Sequence, residues 1–111
     1  KNPTFEHRSA DLKLAADRLA FAKTFNSGQW CIDADYVLVD EAVFDEFNGL
    51  VVEAARSLLG DEKAQRGDEN PRGGWFNRVV NERHASRVAA FLEEDHGGEV
   101  IMGGLGGCDV K

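Results

Sequence analysis

Short apolar runs alternate along this chain with segments in which apolar residues recur at helical spacing. Pro3-Thr4-Phe5 has the character of the end of a strand, and Tyr36-Val37-Leu38-Val39 predicts a strand that is covered on both faces. Glu99-Val100-Ile101-Met102 predicts one more short strand. Strands that alternate with amphipathic helices predict an α/β fold, with a short, mostly parallel sheet flanked by helices.

The first predicted helix is apolar on several sides. Ser9 is its expected N-cap, Asp11 suits the positive end of its dipole, and Gly28 is expected to end it. Phe21 and Phe25 add apolar surface beside its main stripe, so we expect this helix to lie deep in the fold. The stripe at helical spacing consists of Leu12, Ala15, Ala16, Leu19 and Ala22.

Two further helices are expected. Asp40 is the expected cap of the second, which Gly60 would end in the left-handed conformation. Asn81 is the expected cap of the third, which would end at Gly97-Gly98. The polar stretch from Asp61 to Gly74 predicts a surface loop between them. The apolar stripe of the second helix consists of Val43, Phe47, Leu50, Val51, Ala54 and Leu58. The apolar stripe of the third helix consists of Ala85, Val88, Ala89 and Leu92.

Composition narrows the class of protein. The chain has 111 residues, an apolar fraction of 42% and a charged fraction of 30%, which is typical of a globular domain. A net charge of −7 without a basic stripe disfavours nucleic acid as a partner. No apolar run approaches the roughly 20 residues that cross a bilayer. The two cysteines, Cys31 and Cys108, do not form a disulfide framework, which favours a reducing compartment and hence the cytoplasm.

The sequence contains neither a convincing dinucleotide-binding loop nor a metal-binding motif. The glycines at 103, 104, 106 and 107 resemble a dinucleotide loop, but Asp109 stands where a glycine or alanine is needed. A turn after a strand explains them better. The three histidines and two cysteines lie too far apart for metal-ligand spacing, so we predict no metal site.

The segment Asn26-Ser27-Gly28-Gln29-Trp30-Cys31 carries the best candidate chemistry. It brings a cysteine out of a helix through a glycine turn, so that the thiol can face a cleft. A thiolate beside a free backbone N–H can attack a carbonyl carbon and hold the resulting oxyanion. A free cysteine is, however, more often a small buried apolar residue, and that alternative stays open.

This segment, followed by Asp35-Tyr36-Val37-Leu38-Val39, resembles the cysteine region of the NAD(P)-dependent aldehyde dehydrogenases, and most of all their class 3, or fatty-aldehyde, branch. Lys1-Asn2-Pro3 is similar to the end of that family's Glu-Leu-Gly-Gly-Lys-Ser/Asn-Pro motif. Ala10-Asp11-Leu12 and Arg83-His84 also fit. The resemblance spans nearly the whole chain.

The resemblance implies a mechanism and a set of site residues. The Cys31 thiolate would add to an aldehyde to give a thiohemiacetal, hydride transfer to NAD or NADP would leave a thioester, and water activated by a glutamate would release the acid. Phe21, Phe25 and Trp30 would line the substrate channel, with burial in the core as the alternative for these aromatic residues. A homodimer is implied for the parent protein, and a membrane anchor is left open.

Departures from the family pattern set further expectations. The general-base glutamate would precede Lys1, and the cofactor-binding half and the C-terminal remainder would lie outside residues 1–111, which would form part of a catalytic domain. We therefore expect these residues alone to be inactive as a dehydrogenase. Trp30 replaces a smaller residue and should favour slim or flat aldehydes. Ile32-Asp33-Ala34 also departs from the family pattern, which commonly has proline before Asp35-Tyr36.

Two other functions remain to be weighed. Cys31 could be a redox-sensitive or structural thiol in a non-enzymatic relative, or the nucleophile of a cofactor-free thiol esterase. Thiol labelling separates a reactive cysteine from a buried structural one, which would stay unlabelled until the protein unfolds.

Overall fold

The structure, a computed structural model, describes residues 2–60 and 77–104. By their contacts, the residues of the chain divide into two compact units, Lys1–Asn77 and Arg78–Lys111. Among residues 2–60 and 77–104, the first unit contains two strands, two helices and two 3₁₀ turns, and the second contains one helix. In chain order these are β1 (Pro3–Glu6), α1 (Leu12–Thr24), the turn Phe25–Gly28, β2 (Tyr36–Val39), the turn Glu41–Val43, α2 (Phe44–Leu59) and α3 (Glu82–Glu93).

The two strands form a parallel sheet, which confirms the predicted α/β class. Pro3 pairs with Tyr36 and Glu6 with Val39, and α1 forms the crossover between the strands. The prediction that Tyr36–Val39 is covered on both faces is wrong for the described residues. Exposure alternates along both strands, and Phe5 and Leu38 lie opposite each other on the exposed face. Within the described part of the chain, one face of this sheet is therefore exposed.

The core of the first unit lies between α1 and α2. Ala16 and Ala20 of α1 and Phe47 and Ala54 of α2 are its buried apolar residues. Small residues on α1 let the two helices approach closely, and Phe47 contributes the largest buried side chain of this core. The expectation that α1 is buried on most sides is wrong here, because the side chain of Phe21 is 58% exposed.

The caps of α1 and α2 show where local patterns mislead. Asp11, not Ser9, caps α1: its Oδ1 accepts the Leu14 N–H at 3.0 Å, whereas Ser9 Oγ lies 2.8 Å from His7 Nδ1. Asp40 caps the 3₁₀ turn that leads into α2, where its Oδ1 accepts the Ala42 N–H at 3.0 Å. Gly60 follows α2 with φ 68° and ψ −160°, so its φ is positive but its conformation is not the expected left-handed helical one.

An ion pair joins the segment that follows β1 to the segment that follows β2. Arg8 donates from Nε to Asp40 Oδ2 at 2.7 Å and from Nη2 to Oδ1 at 3.0 Å. These hydrogen bonds, with that of the Ala42 N–H, lower the pKa of Asp40 below its ordinary value of 3.8. The Arg8–Asp40 ion pair fixes the end of β1 relative to the end of β2.

In the second unit, Asn81 caps α3 as predicted, since its Oδ1 accepts the His84 N–H at 3.0 Å. The helix ends at Glu93, before the predicted stop at Gly97-Gly98. Glu99–Met102 does not form the predicted strand, and Val100 and Ile101 are exposed. Among the described residues this stretch has no neighbouring strand to bond to, so its β propensity has no effect.

The predicted loop from Asp61 to Gly74 lies outside the described residues, as does Cys108. None of the helices within 2–60 and 77–104 has both the length and the apolar character needed to span a bilayer.

Candidate active site

The chain leaves α1 through three consecutive residues with positive φ. Asn26, Ser27 and Gly28 have φ values of 48°, 57° and 71°. Asparagine and serine adopt this conformation at a cost, so local bonds must hold it. Gly28 is required here for a second reason, because a Cβ at this position would lie 3.2 Å from the Lys23 carbonyl oxygen.

Side-chain amides and a hydroxyl hold this strained segment. Asn26 Nδ2 donates to the Gln29 carbonyl at 3.3 Å, and the Gln29 N–H returns a bond to the Asn26 carbonyl at 3.1 Å. Asn77 Nδ2 donates to Asn26 Oδ1 at 2.8 Å, and Ser27 Oγ donates to the Asn77 carbonyl. Asn26 and Ser27 thus tie the turn to Asn77, a residue that the sequence analysis does not single out.

Cys31 then lies in a tight turn of residues 30–33, here called the cysteine turn. The Asp33 N–H donates to the Trp30 carbonyl at 3.1 Å and closes the turn, which leaves Cys31 and Ile32 at its centre. Cys31 is a free cysteine and is exposed. Among the hydrogen bonds of the described residues, none uses the Cys31 N–H. The turn thus presents a thiol and a backbone donor on the same residue.

Asn2 holds the cysteine turn from the side of β1. Its Nδ2 donates to the carbonyl oxygens of Cys31 and Asp33, both at 3.0 Å, and its own carbonyl accepts the Asp35 N–H at 2.9 Å. Sequence reasoning used Asn2 only as part of the Lys-Asn-Pro match and did not assign it a role.

Asp33 holds the same turn from the side of α1. Its Oδ2 lies 3.3 Å from Lys23 Nζ, and its side chain is 3% exposed while that of Lys23 is 49% exposed. Neither carboxylate oxygen of Asp33 accepts a hydrogen bond of good geometry from a described residue. Among the described residues, Lys23 is therefore the group that compensates the buried charge of the Asp33 carboxylate.

Phe21, Phe25 and Trp30 form a continuous line of rings, here called the aromatic row. The ring centroids of Phe21 and Phe25 are 6.0 Å apart, and those of Phe25 and Trp30 are 4.4 Å apart, both within the range of aromatic contacts. All three side chains are exposed to a similar degree, between 42% and 58%. The row runs from α1 to the residue that precedes Cys31.

A groove of about 330 Å³ lies along part of this row. Phe21 and Phe25 form its aromatic wall, but neither Trp30 nor Cys31 lines it. Two of the predicted channel residues thus line one groove, and the third directly precedes Cys31 in the chain. The other described residues that line the groove are Thr24, Asn26, Leu58 and Asn77.

The described residues show no arrangement for a cofactor or a metal. In 2–60 and 77–104, no three histidine, cysteine or acidic side chains come together as metal ligands. Neither β1 nor β2 is followed by a glycine-rich turn that opens a helix, which is the arrangement that binds a dinucleotide phosphate. We therefore assign no described residue to NAD or NADP.

Cys31 thus places an exposed thiol on a hydrogen-bonded turn, between the crossover helix and the second strand of a parallel α/β unit. Comparison with known proteins identifies the family. The sequence pattern of the aldehyde dehydrogenase family matches residues 1–110, and the chain belongs to that family.

Individual relatives agree. The chain is 36% identical over 104 residues to beta-apo-4'-carotenal oxygenase of Neurospora crassa, covering 94% of this chain and 18% of the relative. It is 31% identical over 111 residues to the dimeric NADP-preferring aldehyde dehydrogenase of Canis lupus familiaris, covering 100% of this chain and 22% of the relative. The chain thus spans about a fifth of the length of these relatives.

A solved structure gives the same result. The substrate-bound state of Staphylococcus aureus AldH superposes with a TM-score of 0.78 and 29% identity, covering 94% of this chain and 21% of that one. This similarity supports the α/β assignment independently of the sequence pattern.

Proposed function

We propose that this chain carries the nucleophile of an aldehyde dehydrogenase similar to the class 3 branch, and that Cys31 is that nucleophile. The observation that carries the proposal is the position of Cys31: an exposed thiol at the centre of a turn that is bonded from two sides. A structural cysteine in the core would be buried instead.

The first chemical step follows from these groups. The thiolate of Cys31 forms an Sγ–C bond to the aldehyde carbon, and the carbonyl π electron pair moves to the oxygen, giving the oxyanion of a thiohemiacetal. The Cys31 N–H is a donor that could stabilise the oxyanion, a contribution worth about a hundredfold in rate for one such donor. NAD or NADP, when bound, would supply the hydride acceptor. The glutamate that activates water would come from outside residues 1–111, so we expect these residues alone to be inactive.

Substrate class follows from the aromatic row. Three exposed rings favour an apolar aldehyde, and the indole of Trp30 beside the thiol favours a slim or flat one. The names of two relatives are in keeping with this: beta-apo-4'-carotenal oxygenase of Neurospora crassa and 4,4'-diaponeurosporen-aldehyde dehydrogenase of Staphylococcus aureus. A homodimeric parent, the use of NAD or NADP, and a cytoplasmic location belong to the same proposal. The dimeric NADP-preferring relatives support the first two.

The alternative of a redox-sensitive or structural thiol in a non-enzymatic relative is tested by the same experiment. The full-length protein is assayed for NAD(P)H formation with an apolar aldehyde, as wild type, Cys31→Ala and Cys108→Ala. We expect Cys31→Ala to lose at least about a thousandfold in kcat, as is usual when a nucleophile is removed, and Cys108→Ala to keep wild-type activity. Aldehyde oxidation that survives Cys31→Ala would reject the proposal.

A further inference from the structure

The backbone on both sides of Cys31 is hydrogen-bonded. The peptide that precedes Cys31 is fixed through its Trp30 carbonyl, which accepts the Asp33 N–H at 3.1 Å. The peptide that follows is fixed through the Cys31 carbonyl, which accepts from Asn2 Nδ2 at 3.0 Å. These two peptides determine φ and ψ of Cys31, so the rotation about Cα–Cβ is the main freedom left to the thiol.

The hydrogen bond to the Cys31 carbonyl, which fixes the peptide that follows Cys31, depends on the side chain of Asn2. Asn2 uses its two amide hydrogens on the Cys31 and Asp33 carbonyls, and its backbone carbonyl accepts the Asp35 N–H at 2.9 Å. No other described residue donates to the Cys31 carbonyl. Asn2 itself is half-buried and directly precedes β1, whose ladder with β2 begins at Pro3 and Tyr36. The sheet therefore provides a rigid base for this amide.

We infer that Asn2 is a positioning residue for the nucleophile: its side-chain amide sets the backbone from which the Cys31 thiol and N–H project. The inference rests on the proposed function and adds to it a residue that acts through Cys31 without touching the substrate. A nucleophile displaced by about 1 Å can lose a hundredfold in rate, so a donor that fixes the peptide after the cysteine should affect kcat more than KM.

Two substitutions at Asn2 test this in the full-length protein. Asn2→Ala removes both donors, and Asn2→Asp keeps the shape but places a carboxylate against two carbonyl oxygens. Asn48→Ala and Asn48→Asp in α2 are the matched controls. The measurements are kcat and KM for an apolar aldehyde, the melting temperature, and the alkylation rate of Cys31 by iodoacetamide, mapped by peptide mass spectrometry.

We expect kcat to fall about tenfold for Asn2→Ala and further for Asn2→Asp, since the second adds repulsion to two lost hydrogen bonds. KM should stay within about twofold of the wild-type value, since Asn2 does not contact the substrate. The Asn48 variants should match wild type in kcat. A kcat that is unchanged in both Asn2 variants, or that is restored when corrected for the folded fraction, would overturn the inference.

The alkylation rate separates this inference from the proposed function. If the wild-type protein oxidises no aldehyde, the proposed function fails, and positioning is then decided by alkylation alone. A change of about threefold or more in the Cys31 rate for Asn2→Asp, without a change for Asn48→Asp, would support positioning of the thiol. Equal rates in these variants would overturn it.

Discussion

The cysteine turn and the aromatic row share Trp30 but are held in different ways. Hydrogen bonds from Asn2 and the Lys23–Asp33 ion pair attach the turn to β1 and to α1. The aromatic row is held by ring contacts between side chains that remain largely exposed. Directional polar bonds fix a backbone, whereas ring contacts tolerate shifts. Under the proposed function, we therefore expect the turn to affect the rate of the chemical step and the row to affect the choice of substrate.

Among changes that keep Cys31 itself, the largest effect should come from a change to the backbone that leads into the cysteine turn. Gly28→Ala would place a methyl group 3.2 Å from the Lys23 carbonyl oxygen at a residue with φ 71°. A left-handed residue with a side chain costs about 1–2 kcal/mol, and displacement of Cys31 adds to the loss. We expect kcat for the full-length protein to fall by about a hundredfold.

Gly49→Ala is the matched control for this variant. Gly49 lies within α2, and a Cβ there would meet no atom within 4 Å. Helical alanine is favoured over glycine by about 0.5–1 kcal/mol, so this variant should be as stable as wild type or more stable, with unchanged kcat. Equal kcat for the two variants would show that the strained entry to the turn is unimportant.

An effect of intermediate size is expected for the Lys23–Asp33 ion pair, where loss of one partner should cost more in the free energy of unfolding than loss of the other. Lys23→Met leaves the Asp33 carboxylate buried without its cation, and we expect a loss of about 1–3 kcal/mol in the free energy of unfolding. Asp33→Asn leaves Lys23, which is 49% exposed and can be hydrated, so its cost should be below about 1 kcal/mol. Urea unfolding measures both. A larger loss for Asp33→Asn would contradict the view that the buried carboxylate is the costly group.

These elements also show what the sequence could predict. Helix α1, strand β2 and the Asn81 cap depend on residues close in the chain, and pattern reasoning located them. The predicted strand at Glu99–Met102 needs a partner strand, which periodicity cannot supply. The choice of Asp11 over Ser9 as a cap depended on the bond between Ser9 and His7.

The residues of the candidate site also fall into two groups: those with a signal in the sequence, and those that only the fold brings together. The glycine turn at Gly28 is a local signal that pointed to Cys31, whereas the choice of Phe21, Phe25 and Trp30 rested on the resemblance to the aldehyde dehydrogenases. The contacts of Asn2 with Cys31 and Asp33 join residues about 30 positions apart, and only the pairing of β1 with β2 brings them together. No local pattern in a single sequence carries that information.

The smallest effect should come from the aromatic row. In Trp30→Thr the ring that contacts Phe25 at 4.4 Å is lost and space opens beside the thiol. We expect kcat/KM for bulky aldehydes to rise relative to small ones by about three- to tenfold, a change typical of apolar pocket contacts. Phe44→Thr, which removes a ring of similar exposure from α2, is the control. An unchanged ratio would remove Trp30 from substrate selection.

The central claim is that Cys31 forms the covalent bond to the substrate, and the direct test is to trap that bond. The full-length protein is mixed with an apolar aldehyde and NAD(P), quenched in acid during the first turnover, and digested for peptide mass spectrometry. We predict an acyl mass on the peptide that contains Cys31. Turnover with that peptide unmodified, or with the acyl group on another residue, would contradict the account.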